Sequence, residues 1–268
     1  MNLILPVRTI GAADNDWRDP KNYDWMTALP RTAWAWEFLR RNPEYRKTYA
    51  AHFADRDDRG APLHRDALPW GLLRLEDPNI DVRTADVLWQ MKACREVLPL
   101  AASDMRPGTA AATLRLSGLN CRTTLYDYGV EERKEVLFAQ EGRALQLTVF
   151  GNIPLEEALL LTPALPVLAH SKSRLLAVRR LADLVKHGWL RPALYKRERQ
   201  NNRLARVAQA LDGWLAQASQ RAIGDALFAS DRVARDWNDP RNHLRDHVRR
   251  AISYGRSLMA GKYRRFLN

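Results

Sequence analysis

Apolar positions recur at helical spacing through most of the C-terminal third of the chain. In residues 219–228, Ile223, Ala226 and Leu227 fall on one helical face. Ser219 precedes them, a residue type that caps the free N–H groups of a first turn. A second helix is expected to open at Asp239-Pro240, since proline is tolerated where a helix has no N–H partner to lose. Its apolar stripe is Leu244, Val248, Ala251/Ile252 and Leu258/Met259, and Gly261 would end it. Residues 229–238 read as a polar connector, longer than the usual 3–4-residue turn between such helices. Upstream, residues 166–187 carry Leu175, Val178, Leu181/Ala182 and Val185, with Gly188 as a stop. Residues 192–218 carry Leu204, Val207/Ala208, Leu211 and Trp214/Leu215.

The period changes to two in the middle of the chain. Leu145, Leu147 and Val149 alternate with Gln146 and Thr148, predicting a strand over 144–150 with one face buried. Strands are also predicted over 112–119 and 135–139, with residues 140–143 as a hairpin loop. Residues 84–97 hold a short strand or helix around Val87-Leu88-Trp89. Near the N-terminus, Trp17, Tyr23, Trp25, Trp34, Trp36, Phe38, Tyr45, Tyr49 and Phe53 crowd into one segment. A helix over 31–41 stops before Pro43, and a second starts at Pro43. Aromatics at this spacing are expected to form a mini-core rather than a platform for bases. DWRDPKN (16–22) and DWNDPRN (236–242) echo each other, which reads as two Asp-Pro helix starts with a tryptophan packing back.

The pattern predicts an α+β, mostly α fold in three parts. These are an aromatic-rich helical module over 14–58, a central small antiparallel sheet region over 61–165, and a helical domain over 166–268. Charge distinguishes the third part. The chain of 268 residues has a formal net charge of +12, and residues 170–268 hold 22 Lys/Arg against 8 Asp/Glu. The C-terminal third therefore supplies the whole excess, which suits a polyanionic partner. The face of the last helix opposite its apolar stripe carries Arg241, Asn242, Arg245, Asp246, Arg249, Arg250, Ser253 and Arg256. A short supporting helix followed by an arginine-faced one is the pattern of a helix-turn-helix variant that enters a major groove. The preceding helix adds Lys196, Arg197, Arg199, Arg203 and Arg206.

Enzyme signatures are missing. There is no glycine-rich phosphate loop and no Gly-x-Ser-x-Gly. His64-Arg65-Asp66 copies the opening of a kinase catalytic loop, but Gly71 stands where its asparagine should be. His243 and His247 have metal-compatible spacing without an evident third ligand, and Cys94 and Cys121 form no metal or disulfide framework. No cofactor is expected. The longest apolar stretch, 153–169, contains two glutamates and three prolines and does not span a membrane. A cytoplasmic, nucleoid-associated protein is expected.

WRDP followed by WAWEFLRRNPEYR (34–46) resembles the N-terminal regulator-like module of a proteobacterial family, the FseA-type transcriptional activators of integrative and conjugative elements. ALDGWLAQASQRAIGDALF (210–228) and RRAISYGRSLMAGKYRRFL (249–267) resemble the C-terminal helix-turn-helix-variant domain of the same proteins, a domain shared with the antiactivator QseM. The resemblance implies activation of an excisionase promoter, and so control of element excision and transfer. It also implies binding of a small antiactivator, and it puts DNA contact on Arg249, Arg250 and Arg256.

The expected DNA-contacting set combines both readings: Ser219, Gln220, Arg221, Arg241, Asn242, Arg245, Asp246, Arg249, Arg250, Arg256, Lys262, Arg264 and Arg265. Double-stranded promoter DNA is the expected partner, with RNA polymerase and an antiactivator as protein partners. The alternative is a protein–protein regulator that uses the same helices as a docking surface without binding DNA.

Overall fold

The computed structural model describes residues 16–54, 65–103, 118–127, 133–151, 160–163, 171–228, 230–237 and 243–268. The fold is α+β and mostly helical. It divides into two compact units, each assembled from non-contiguous stretches. One comprises residues 30–37, 43–196 and 264–268, and the other residues 1–29, 38–42 and 197–263.

The first unit contains α1 (Ala33–Leu39) up to Glu37, α2 (Pro43–Ala54) and a five-stranded sheet. The strands are β1 (Leu98–Ser103), β2 (Arg122–Asp127), β3 (Arg133–Gln140), β4 (Arg143–Phe150) and β5 (Leu160–Pro163), in the order β2-β3-β4-β1-β5. The predicted hairpin is β3–β4, whose register closes on Gln140 opposite Arg143. Its two-residue loop has positive φ at both Glu141 (51°) and Gly142 (78°), the tight turn that matches strand twist. β1 pairs with β4 in parallel, so the sheet is mixed, with its other pairings antiparallel. Of the strand predicted over 112–119, residues 112–117 lie outside the described residues, and Gly118-Leu119 is not in a strand. The linker predicted at 55–60 also lies outside them. Around Val87-Leu88-Trp89 there is only a single bridge, Leu72 to Trp89.

One sheet face, with Leu98, Leu100, Val136, Phe138, Leu145, Leu147 and Val149, packs on α3 (Ser171–His187) through Ala177 and Leu184. The other face presents Leu137 and Ala139 to Leu73 and Leu88. It also holds a buried polar network. Glu135 accepts from Gln146 Nε2 (2.8 Å) and Thr148 Oγ1 (2.9 Å), while Gln146 exchanges two hydrogen bonds with the Trp89 backbone. The α3 stripe is rotated from the expected one: Leu175 and Val185 are exposed. Arg180 is buried in their stead, donating to Leu194 O (3.1 Å) and Glu96 (2.6 Å) with its guanidinium over Tyr195. A buried guanidinium with its hydrogen bonds satisfied competes successfully with an aliphatic side chain for the interior. The N-terminal aromatics in this unit are core. Trp36 meets Tyr45 edge-on at 5.7 Å, Tyr45 meets Trp70 at 5.5 Å, and Tyr45 Oη donates to Glu76 O (2.7 Å).

The second unit is helical. It is built on α4 (Asn201–Leu215), which is buried along most of its length. The helix expected over 192–218 is thus divided: a 3-10 turn, Pro192–Leu194, belongs to the first unit and α4 begins afterwards. A 3-10 helix, Pro20–Ala28, lies along α4, started by Asp19, whose carboxylate accepts from Lys21 N (2.9 Å), with Pro20 at the first position. Asp212 on α4 accepts two hydrogen bonds from Arg41 (2.8 and 3.0 Å) and one from Tyr23 Oη (2.7 Å). Asn201 donates to the carbonyls of Thr27 and Leu29, and Gln209 to that of Trp17.

Three helices follow: α5 (Gln220–Leu227), α6 (Ser230–Asp236) and α7 (His243–Met259). α5 is the expected helix, with Ser219 as N-cap accepting from Ala222 N (3.1 Å). The expected polar connector is instead largely α6. Val233, fully buried, anchors it, and one apolar residue in a charged segment leaves no periodicity to read. Both echoed tryptophans are buried against helix glycines. A Cβ on Gly213 would lie 2.9 Å from the Trp17 ring, and one on Gly224 would lie 2.7 Å from Trp237.

Candidate nucleic-acid interface

α7 is held on α4 by Leu244, Val248, Ile252, Leu258 and Met259, all buried. Gly255 brings the two backbones together, because a Cβ there would stand 3.2 Å from Val207 O and 3.1 Å from Leu211 Cβ. The expected apolar stripe is the observed one, except that Ala251 is only half-buried. The remaining circumference splits into two flanks. Arg245, Arg249 and Arg256 occupy one, at i, i+4 and i+11, and all three are exposed. Arg249 pairs with Asp246 one turn back (2.9 Å). The Arg256 guanidinium sits 4.5 Å from the centre of the Trp214 ring, which holds its charge in one place.

His243, His247, Arg250 and Tyr254 form the other flank, at i, i+4, i+7 and i+11. They face an open groove of about 1090 Å³ whose opposite wall is α4, through Asn202, Arg203 and Arg206. Leu227 and Phe228 at the end of α5 and Asp236 of α6 also line it. Arg203 donates to Gln200 Oε1 (3.2 Å), and its guanidinium lies 5.4 Å from the Tyr254 ring centre. His243 and His247 are exposed on the polar side of the helix.

Of the expected contact residues, Arg245, Arg249, Arg250 and Arg256 thus share one helix, and Asp246 serves as an ion-pair partner. Arg241 and Asn242 lie outside the described residues. Ser219 is engaged as a cap, while Gln220 and Arg221 are exposed beside it. Lys262 is exposed in the 3-10 helix Lys262–Leu267. Arg264 and Arg265 belong to the first unit, where Arg264 donates to Pro69 O (2.6 Å) and Arg265 lies over Phe266. Sequence reasoning saw Arg203 and Arg206 only as charge. Their i, i+3 spacing gave them a common side, but not that this side faces α7.

Two family models match parts of the chain. Residues 164–268 match one described as a T6SS transcription factor DNA-binding domain, and residues 16–73 match one described as a proteobacterial transcriptional regulator-like domain. No curated protein matches the chain. The two descriptions support a DNA-binding transcriptional regulator with DNA as its partner, and they are those of a transcription factor rather than an enzyme. Among the described residues no helix is long and apolar enough to cross a membrane.

Proposed function

We propose that the chain is a transcriptional activator that reads promoter DNA with α7. The observation that carries this reading is the outward face of that helix, where Arg245, Arg249, Arg250 and Arg256 are exposed around a buried apolar stripe. A helix with side chains is about 10–12 Å across and the major groove about 12 Å wide, so such a face can enter it. Arg241, Asn242, Arg245, Asp246 and Arg249, towards the start of the helix, are assigned to base edges. Arg256 and Lys262 are assigned to phosphates. Ser219, Gln220 and Arg221 are assigned to the DNA at the start of α5.

The target we assign is an excisionase promoter of an integrative and conjugative element, on the resemblance over 34–46, 210–228 and 249–267. RNA polymerase and a small antiactivator would be its protein partners. The description of the family matched over 164–268 favours a second reading, a T6SS promoter as target.

The test is a mobility shift of the full chain at two salt concentrations, on an excisionase promoter, a T6SS promoter and a scrambled duplex. Binding that prefers one promoter and weakens steeply with salt is the expected result. Absence of binding to all three would transfer the function to protein–protein docking. Arg245→Ala should cost about 1–3 kcal/mol on the preferred promoter if the contact is bidentate to guanine. An equal loss on scrambled DNA would reassign Arg245 to a phosphate.

A further inference from the structure

The groove between α4 and α7 lies beside the helix face assigned to the bases. Its α7 wall, His243, His247, Arg250 and Tyr254, runs along three helical turns, about 16 Å. Its α4 wall adds Arg203 and Arg206, both exposed. Against this row of cationic and imidazole side chains stands, among the described residues, one carboxylate, Asp236. The lining is not only charge. Tyr254, Phe228 and Val207 give it apolar surface. Arg203 is steered into position from two sides, by Gln200 and by the Tyr254 ring. The opposite flank of α7 is differently arranged: Arg249 is paired with Asp246 and Arg256 is stacked on Trp214.

A groove of this length, basic on both walls with an apolar lining, suits a phosphodiester strand. A wall of about 16 Å spans more than one successive phosphate of a strand. Phosphates meet the arginines while sugar faces meet the apolar surface.

We propose that this groove seats the sugar–phosphate backbone of one DNA strand, with Arg203 and Arg206 of α4 as sequence-independent contacts beside Arg250 of α7. The proposal rests on the reading of α7 as the helix that enters the major groove. It makes α4 part of the interface rather than only its support, and it fixes which flank of α7 faces the strand at the groove's edge.

The experiment compares the full chain with Arg203→Gln/Arg206→Gln and with Arg203→Lys/Arg206→Lys, on the preferred promoter and on a scrambled duplex, across a salt series. Thermal melts verify that each variant is folded, and both residues are exposed. For the glutamine pair the slope of log affinity against log salt should shrink by about 2, with the same fold-loss on both duplexes. The lysine pair should keep most of the wild-type slope. An unchanged slope and affinity in the glutamine pair overturns the proposal, as does a loss confined to the promoter. If the wild-type chain binds neither duplex, the α7 reading itself has failed, which is a separate result.

Discussion

The two units each bury a carboxylate, and they treat it in opposite ways. In the helical unit Asp212 is met by a bidentate guanidinium and a phenol, from Arg41 and Tyr23. Burial, with the Asp212 charge beside it, pushes the Tyr23 hydroxyl well above its ordinary value, which keeps it a donor. In the sheet unit Glu135 has two neutral donors from the adjacent strand, with Arg133 3.3 Å from it. Burial outweighs those contacts and raises Glu135 to about 7. The first arrangement links chain segments 171 and 189 residues apart, and the second is confined to neighbouring strands and one loop. A full counter-charge therefore serves where distant segments must be fastened, and a titratable group is left where the fold is secured by its own ladder.

Removing the counter-charge should have the largest effect. Arg41→Ala leaves Asp212 buried with only Tyr23, and breaking a buried pair costs about 3–5 kcal/mol. Urea melts would measure it. A cost below about 1 kcal/mol would put Asp212 in the same category as a surface ion pair and dissolve the contrast.

The Glu135 effect is smaller and depends on pH. Its folded value lies above the ordinary 4.5, so the folded state binds the extra proton between the two. The stability this contributes is fully present below about 4.5 and is lost as pH rises through about 7. Over that window it amounts to about 3 kcal/mol. Glu135→Gln should flatten the decline of Tm between pH 5 and pH 8. An unchanged slope would mean that Glu135 is already ionised at low pH.

Smallest is Gly213→Ala in α4. A methyl there meets Ile223 Cγ1 and the Trp17 ring, all at 2.9 Å. Overpacking costs about 1–3 kcal/mol, against roughly 1 kcal/mol gained in helix propensity. A modest net loss in urea stability is expected, and a gain would show that Trp17 yields readily.

What was legible in the sequence follows the range of the interaction. Leu145, Leu147 and Val149 announced β4 because one buried face produces alternation. The same applies to Leu244, Val248, Ile252 and Met259 in α7. β1 was not legible, since Pro99 argues against a strand with partners on both sides. Nor was β2, an edge strand with no fully buried residue and with Leu125 and Tyr126 adjacent rather than alternating. α6 was hidden because, among its described side chains, Val233 alone is buried. The basic side chains of the candidate site were visible, but their grouping was not. Arg203 and Arg250 line one groove because α7 lies close on α4 at Gly255, a relation that no local spacing records.

The partnership of Tyr23 with Asp212 also sets a timetable for synthesis. The tyrosine leaves the ribosome 189 residues before its acceptor exists. At about 5–20 residues per second, roughly 10–40 s pass before α4 emerges. During that interval Trp17, Tyr23 and Met26 have no native surface to cover them. The sheet unit can begin to assemble as its strands appear, whereas the helical unit has to wait until α4 has been made, with its earliest segment held in reserve.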